Sequence, residues 1–136
     1  MSMKMADVMT ACPYNIDASS SIEQSLRTMQ TREIRHLPVV ERGALLGILS
    51  ERDIRLSMVV CGATGFCPTA SDLCFKEPYV VRDDDEVAEI ALEMSQKKID
   101  CALVADKDGN FVGIFTTTDA CRLLHLVLEE EKLKGA

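Results

Sequence analysis

Apolar and polar positions along the chain follow two alternating patterns. Ile22, Leu26 and Met29 recur at helical spacing, and so do Val87, Ile90, Ala91 and Met94. Each set predicts a helix with one buried face. Around these helices lie short apolar runs of strand length: Tyr14–Ile16, Leu37–Val40 and Ala44–Leu49, then Tyr79–Val81, Ala102–Ala105 and Phe111–Phe115. Glu41-Arg-Gly43 and Asp106-Lys-Asp-Gly-Asn110 join the later strands of each half as tight antiparallel turns, with Gly supplying a positive φ. Ser20-x-x-Glu23 has the form of a capping box, and Asp83-Asp-Asp85 places acids at the positive end of the next helix. A closing helix follows Ser50 and runs to about Val60. Another follows Thr116 and runs to about Glu131. Each half therefore predicts strand, helix, strand, strand, helix.

The two halves are one motif written twice. At a single fixed offset, Pro13-Tyr14 falls on Pro78-Tyr79, and Ile22, Met29, Ile34 and Val39 fall on Val87, Met94, Ile99 and Val104. Asp7 falls on Asp72 in the same alignment. One extra residue in the second hairpin turn shifts the offset, after which Gly43, Gly47, Ile48, Ser50 and Asp53 meet Gly109, Gly113, Ile114, Thr116 and Asp119. Paired glycines, a paired Pro-Tyr and a paired Asp in one order mark an internal repeat rather than a shared hydrophobic rhythm. The segments divide as a first motif over 1–60, a Gly-, Pro- and Thr-rich linker over 61–71, a second motif over 72–131 and a tail over 132–136.

Composition narrows the function classes. Aromatic residues make up 4% of the 136 and Trp is absent, so the core is built from Leu, Ile, Val, Met and Ala. The net charge of −7 arises in the second half; the first half is balanced and gathers Arg32, Arg35, His36, Arg52 and Arg55. An acidic chain repels phosphate backbones, which argues against nucleic acid as a partner. No apolar run approaches the ~20 residues that span a bilayer, so no membrane partner is expected. The first residues do not read as a signal peptide, which points to the cytoplasm. In that compartment the six cysteines read mostly as buried free thiols rather than disulfides. Cys61, Cys67 and Cys74 lack the spacing of a zinc knuckle, and no metal is expected. Met1, Met3, Met5 and Met9 read as packing at a flexible terminus, and Leu123, Leu124, Val127 and Leu128 as an apolar stripe fit for a core or a dimer contact.

These residues resemble a tandem cystathionine-β-synthase (CBS) domain pair, often called a Bateman module. The first copy shows Asp7-Val-Met-Thr10, Pro13, Ile34-Arg-His-Leu-Pro-Val-Val40 and Gly47-Ile-Leu-Ser-Glu-Arg-Asp53. The second shows Asp72-Leu-Cys-Phe75, Pro78, Ile99-Asp-Cys-Ala-Leu-Val104 and Gly113-Ile-Phe-Thr-Thr-Thr-Asp119. The resemblance implies an α/β (α+β) fold of two β-α-β-β-α motifs packed with pseudo-twofold symmetry. It implies a stand-alone, non-enzymatic sensor with no cofactor, whose small-molecule ligand is an adenine nucleotide (AMP, ADP or ATP) or an S-adenosyl compound. A homodimer and a regulated partner protein are implied as well. Two shared clefts follow from it: Thr116, Thr118 and Asp119 with Pro13, Tyr14, Asn15, Arg35 and His36, and Ser50, Arg52 and Asp53 with Pro78, Tyr79, Val80, Asp100 and Cys101. In each, the carboxylate takes ribose hydroxyls while hydroxyls, cations and helix-start N–H groups face phosphate. Asp100 and Cys101 stand where Arg35 and His36 stand in the other cleft, so the first cleft is the expected site. A ligand-free dimerisation module and a cysteine-based redox or metal sensor are the alternatives.

Overall fold

The computed structural model describes residues 2–11 and 14–135. Its elements run α1 (Met5–Val8), β1 (Thr10–Ala11), β2 (Ile16–Asp17), α2 (Ile22–Arg32), β3 (His36–Glu41), β4 (Ala44–Ser50), α3 (Glu51–Thr64), α4 (Ala70–Leu73), β5 (Val80–Arg82), α5 (Val87–Lys97), β6 (Cys101–Ala105), β7 (Phe111–Thr116) and α6 (Thr117–Lys134). The result is a mixed α+β fold with two sheets, divided into two compact units.

One unit spans residues 14–78 and carries the sheet β2-β3-β4. β2 runs parallel to β3, and β3 and β4 form the antiparallel hairpin. Arg42 and Gly43 both take positive φ at its turn, 53° and 79°, as a tight primed turn requires. α2 buries Ile22, Leu26 and Met29 against Leu37, Val39, Leu49 and Ile54, the face that the spacing predicts. Its cap lies one residue later than the sequence reading placed it. Ser21, not Ser20, receives the Gln24 N–H, and Gln24 returns a side-chain oxygen to the Ser21 N–H.

The other unit joins residues up to 13 with 79–136 and carries the sheet β1-β7-β6-β5. Its core is Met5, Val81, Val87, Ile90, Met94, Ala102, Val104 and Phe115. The packing expected of Met3, Met5 and Met9 is into this core rather than at a loose end; Met1 lies outside the described residues. Met5 is fully buried, and Met3 and Met9 pack against the cluster it belongs to. The Asp83–Asp85 run ends one residue before the α5 cap, but none of its carboxylates is the cap. α5 is preceded by Glu86 at its cap position, and Asp85 instead closes a turn by accepting the Arg82 N–H at 2.9 Å.

The paired Asp7 and Asp72 have a structural explanation. Each lies in a one-turn helix and turns its carboxylate back onto the backbone N–H that precedes it, from Lys4 at 3.0 Å and Thr69 at 3.1 Å. Hydrogen bonds of this kind hold Asp72 below its ordinary 3.8, through the Thr69 N–H and hydroxyl. Asp17 is lowered by the Ser19 hydroxyl and N–H, and Asp106 by the Asn110 N–H. Each folded-state value lies below the unfolded one, so the stabilisation is complete above the unfolded value and is lost as pH falls through the folded one. The thermal midpoint is therefore expected to drop as pH falls below about 4. A midpoint that stayed level down to about pH 2 would contradict this role for the turn carboxylates.

Candidate functional site

In the unit formed by the chain's two ends, β7 delivers Thr116 to the start of α6, and the site is built there. The Asp119 carboxylate folds back on that start. One oxygen accepts the Thr116 N–H at 2.9 Å and the Thr116 hydroxyl at 3.1 Å, and the other accepts Arg122 Nη1 at 3.1 Å. The Thr10 hydroxyl donates to that second oxygen at 3.5 Å. Asp119 is 9% exposed, a buried charge that is paired and hydrogen-bonded as burial demands. Thr118 is exposed on the first turn of the helix.

Cys101 lies opposite Thr116 in the sheet. Burial pushes its thiol up to about 12, and the carboxylates of Asp119 and Asp100 add to the shift. This corner of the unit is therefore acidic, with a thiol that stays protonated.

The equivalent corner of the other unit has the opposite character. His36 opens β3 opposite Ser50, and the Glu51 N–H donates to the Arg35 carbonyl at 2.9 Å. Arg35, His36, Ser50, Arg52 and Asp53 are thereby gathered at one end of the hairpin. The Ser50 hydroxyl accepts the Asp53 N–H at 3.2 Å, but the exposed Asp53 carboxylate accepts no hydrogen bond among the described residues. The two Ser/Thr-x-x-Asp elements look alike in sequence and differ in state: Asp119 is buried and engaged, Asp53 is open.

The paired tyrosines differ as well. Tyr14 is 39% exposed and carries the Arg32 guanidinium 4.3 Å above its ring, a cation–π contact. With Asn15, Arg27 and Thr31 it borders an open groove of about 490 Å³. Tyr79 packs against the core of its unit. Its hydroxyl is buried with no hydrogen-bond partner among the described residues, and burial first, then the nearby Glu93 charge, pushes it up to about 12. Val80 is exposed at the start of β5 and Pro78 is half-buried. Pro13 lies outside the described residues. Arg27 was not singled out by sequence reasoning; its signal was helical spacing from Thr31 and Gln24, which line the same groove.

The CBS domain family model matches twice, over residues 5–59 and 70–126. The chain belongs to the CBS domain family. This CBS pair is 27% identical to a CBS domain-containing protein of Dictyostelium discoideum, over 95% of the chain and 96% of that protein. It is 28% identical to the homoserine O-acetyltransferase of Methanohalobium evestigatum, of which it spans only 24% of the length. Among solved structures, one described as an acetoin utilization protein of Vibrio cholerae superposes with a TM-score of 0.85 at 26% identity, covering 97% of both chains. The CBS domain pair of protein MJ0100, solved with 5-methylthioadenosine and S-adenosyl-L-methionine, superposes with a TM-score of 0.79 at 25% identity, covering 92% of this chain and 98% of that one.

The cysteines of this CBS pair correct the sequence reading. Cys61 and Cys67 are joined in a disulfide, with Cα atoms 4.7 Å apart. Cys74 is buried, Cys101 half-buried and Cys121 exposed; Cys12 lies outside the described residues. Six-residue separation across a helix end gave no sequence signal for a pair. Among the described residues no group of three or more His, Cys, Asp or Glu side chains is placed to hold a metal ion, and no helix is long and apolar enough to cross a membrane.

Proposed function

We propose that this CBS pair is a non-enzymatic regulatory module of the cytoplasm that binds an adenosine-containing ligand and signals its occupancy to a partner protein. The observation that carries the reading is the buried Asp119 carboxylate at the start of α6. It is held by Thr116 and Arg122, and ribose hydroxyls would reach its second oxygen by displacing the long Thr10 contact or the exposed Arg122 side chain. The Thr118 hydroxyl and the helix start supply donors for phosphate. The residues that the family resemblance sets with them are Tyr14, Asn15, Arg35 and His36, with Pro13. Arg35 brings the positive charge that an anionic ligand needs, and His36 stands next to it in the chain.

The MJ0100 pair, solved with two adenosine compounds at 25% identity, supports the ligand class. Ser50, Arg52 and Asp53, with Pro78, Tyr79 and Val80, are the second candidate set. There Asp100 repels phosphate, by roughly one to a few kcal/mol at surface dielectrics. The matched acetyltransferase is about four times longer than the region shared with this chain, which fits a regulatory part rather than a catalytic one.

Self-association belongs to the same reading. α3 exposes Leu56, Val59 and Val60, and α6 exposes Leu124, Leu126 and Leu128, apolar surface of the kind that a homodimer covers. Of the predicted stripe on α6, only Leu123 packs against its unit's core.

Calorimetric titration with AMP, ADP, ATP and S-adenosylmethionine, on a sample whose mass is read by light scattering, tests the proposal. Binding of at least one of these compounds at submillimolar concentration is expected. Silence towards all four at millimolar ligand would leave a ligand-free dimerisation module as the better reading.

A further inference from the structure

The Cys61–Cys67 disulfide sits where a helix with little packing meets a segment that is firmly held. Ile54 is the one buried residue of the 14-residue α3. Towards its end Met58, Val59 and Val60 are exposed, and its last turn carries no basic residue to complement the helix dipole. A helix end with so few buried contacts frays. Just downstream the chain is fixed again. Thr69 caps α4, the Ala70 N–H donates to the Ser20 carbonyl at 2.9 Å, and the Ser71 N–H donates to the Ala18 carbonyl at 2.9 Å. The disulfide ties the loose end to Cys67, two residues before the fixed segment.

We propose that Cys61 and Cys67 are a reversible dithiol–disulfide site that sets the order of the last turns of α3. The inference does not depend on ligand binding. Two features make the bond reversible. Cys67 is exposed and Cys61 half-buried, so a small thiol or disulfide reaches them. The turn that brings them together is also held by other bonds. Gly65 takes φ 80° and donates its N–H to the Cys61 carbonyl at 2.8 Å. The Thr64 hydroxyl donates to the Val60 carbonyl at 2.8 Å and accepts the Phe66 N–H at 3.2 Å. These bonds bias the reduced chain towards the same turn, so the thiols meet again whenever the frayed end re-forms.

The oxidant is a low-molecular-weight disulfide, and the exchange balances. One cysteine thiolate attacks it, forming a mixed disulfide and expelling one thiolate. The second cysteine thiolate attacks the protein sulfur of that bond and expels the other. One external disulfide becomes two thiols as the two protein thiols lose two electrons and two protons. Cys74 and Cys101 do not compete, because burial raises both thiols and the thiolate is the nucleophile. In a reducing compartment a disulfide of this kind is transient and regulatory rather than structural.

The full-length protein equilibrated with reduced and oxidised glutathione at graded ratios, then acid-quenched and alkylated, reads the site by peptide mass. Peptides containing Cys61 and Cys67 should interconvert, in both directions, between a doubly alkylated form and a cross-linked form about 2 Da lighter than the dithiol. Amide hydrogen exchange over residues 58–66 should be at least about threefold faster in the reduced protein, with α5 unchanged. Cys61→Ser and Cys67→Ser should show the fast rate under both conditions. The proposal is overturned if the pair stays reduced in oxidised glutathione, if the bond in the native protein resists excess reduced glutathione, or if exchange over 58–66 is the same in both states.

Discussion

Gly47→Ala is expected to lower the unfolding free energy by about 2–3 kcal/mol, and Gly113→Ala by less, about 1–2 kcal/mol. The two glycines occupy equivalent places in the repeat, and each is crossed by another stretch of backbone. At Gly47 the crossing segment is the stretch just after α4. The Ile48 N–H donates to the Phe75 carbonyl at 3.0 Å, and the Phe75 N–H returns to the Ile48 carbonyl at 2.8 Å. A methyl group at Gly47 would overlap the Phe75 carbonyl oxygen and lie 3.0 Å from the Cys74 sulfur. Backbone oxygen cannot yield without breaking that pair of hydrogen bonds. At Gly113 the crossing segment is β1, with Ala11 directly opposite. There the methyl group would meet chiefly the Met9 side chain, with the Thr10 carbonyl oxygen 2.9 Å away. A methionine side chain can change rotamer and absorb much of the conflict. Urea unfolding of both variants checks the order. Equal losses, or a neutral Gly47→Ala, would contradict the close approach as the reason for the glycine.

Asp119→Ala should weaken the adenosine ligand by about 10–100-fold, while Asp53→Ala leaves the tighter site intact. The difference follows from the state of the two carboxylates. Asp119 is buried, oriented by the Thr116 N–H at 2.9 Å and Arg122 at 3.1 Å, and so presented to a ligand at no further ordering cost. Asp53 is exposed and must be ordered by whatever binds it. Stability separates the pair in the same direction. Removing Asp119 leaves the Thr116 N–H without its cap and should cost about 1–2 kcal/mol. Removing Asp53 should change stability by within about 0.5 kcal/mol. Asp119→Asn keeps an acceptor for the Thr116 N–H, so it should recover part of the stability without restoring the charge. Calorimetry and thermal melts of the three variants read all of this. Loss of binding in Asp53→Ala with Asp119→Ala unaffected would move the site to the other element.

Much of the architecture was legible along the chain, because the signals involved are local. Ile22, Leu26 and Met29 had to share a helix face, Gly43 and Gly109 had to turn, and Thr116 with Asp119 had to form a helix start. Where the local signals competed, the reading slipped. Ser20 and Ser21 both offer a capping hydroxyl, and only Gln24, placed to answer Ser21, decided between them. The ends of α2 and α5 had no glycine to mark them. Glu33 and Lys98 both take the left-handed conformation at φ 56°, which costs a non-glycine residue energy, and each end is closed by a backbone bond, from Ile34 to Met29 at 3.0 Å and from Ile99 to Met94 at 2.9 Å. The cysteine reading slipped for a related reason. Compartment argued for free thiols, but the approach of Cys61 to Cys67 is set by how the chain leaves α3 at Gly65.

The sequence by itself determined the doubled motif, its longer strands and helices, and the family, because periodicity, turn residues and capping pairs act between neighbours in the chain; the short α1, β1 and α4 carried no such pattern. Only the tertiary structure decided that the leading segment forms an edge of the β5–β7 sheet and what a side chain at Gly47 or Gly113 would meet. It also decided that Asp119 is buried while Asp53 is open, and that Tyr14 faces a groove while Tyr79 faces a core. Those properties depend on which distant residues share a space. Identical motifs acquire different burial, charge and partners when different chain segments are packed against them.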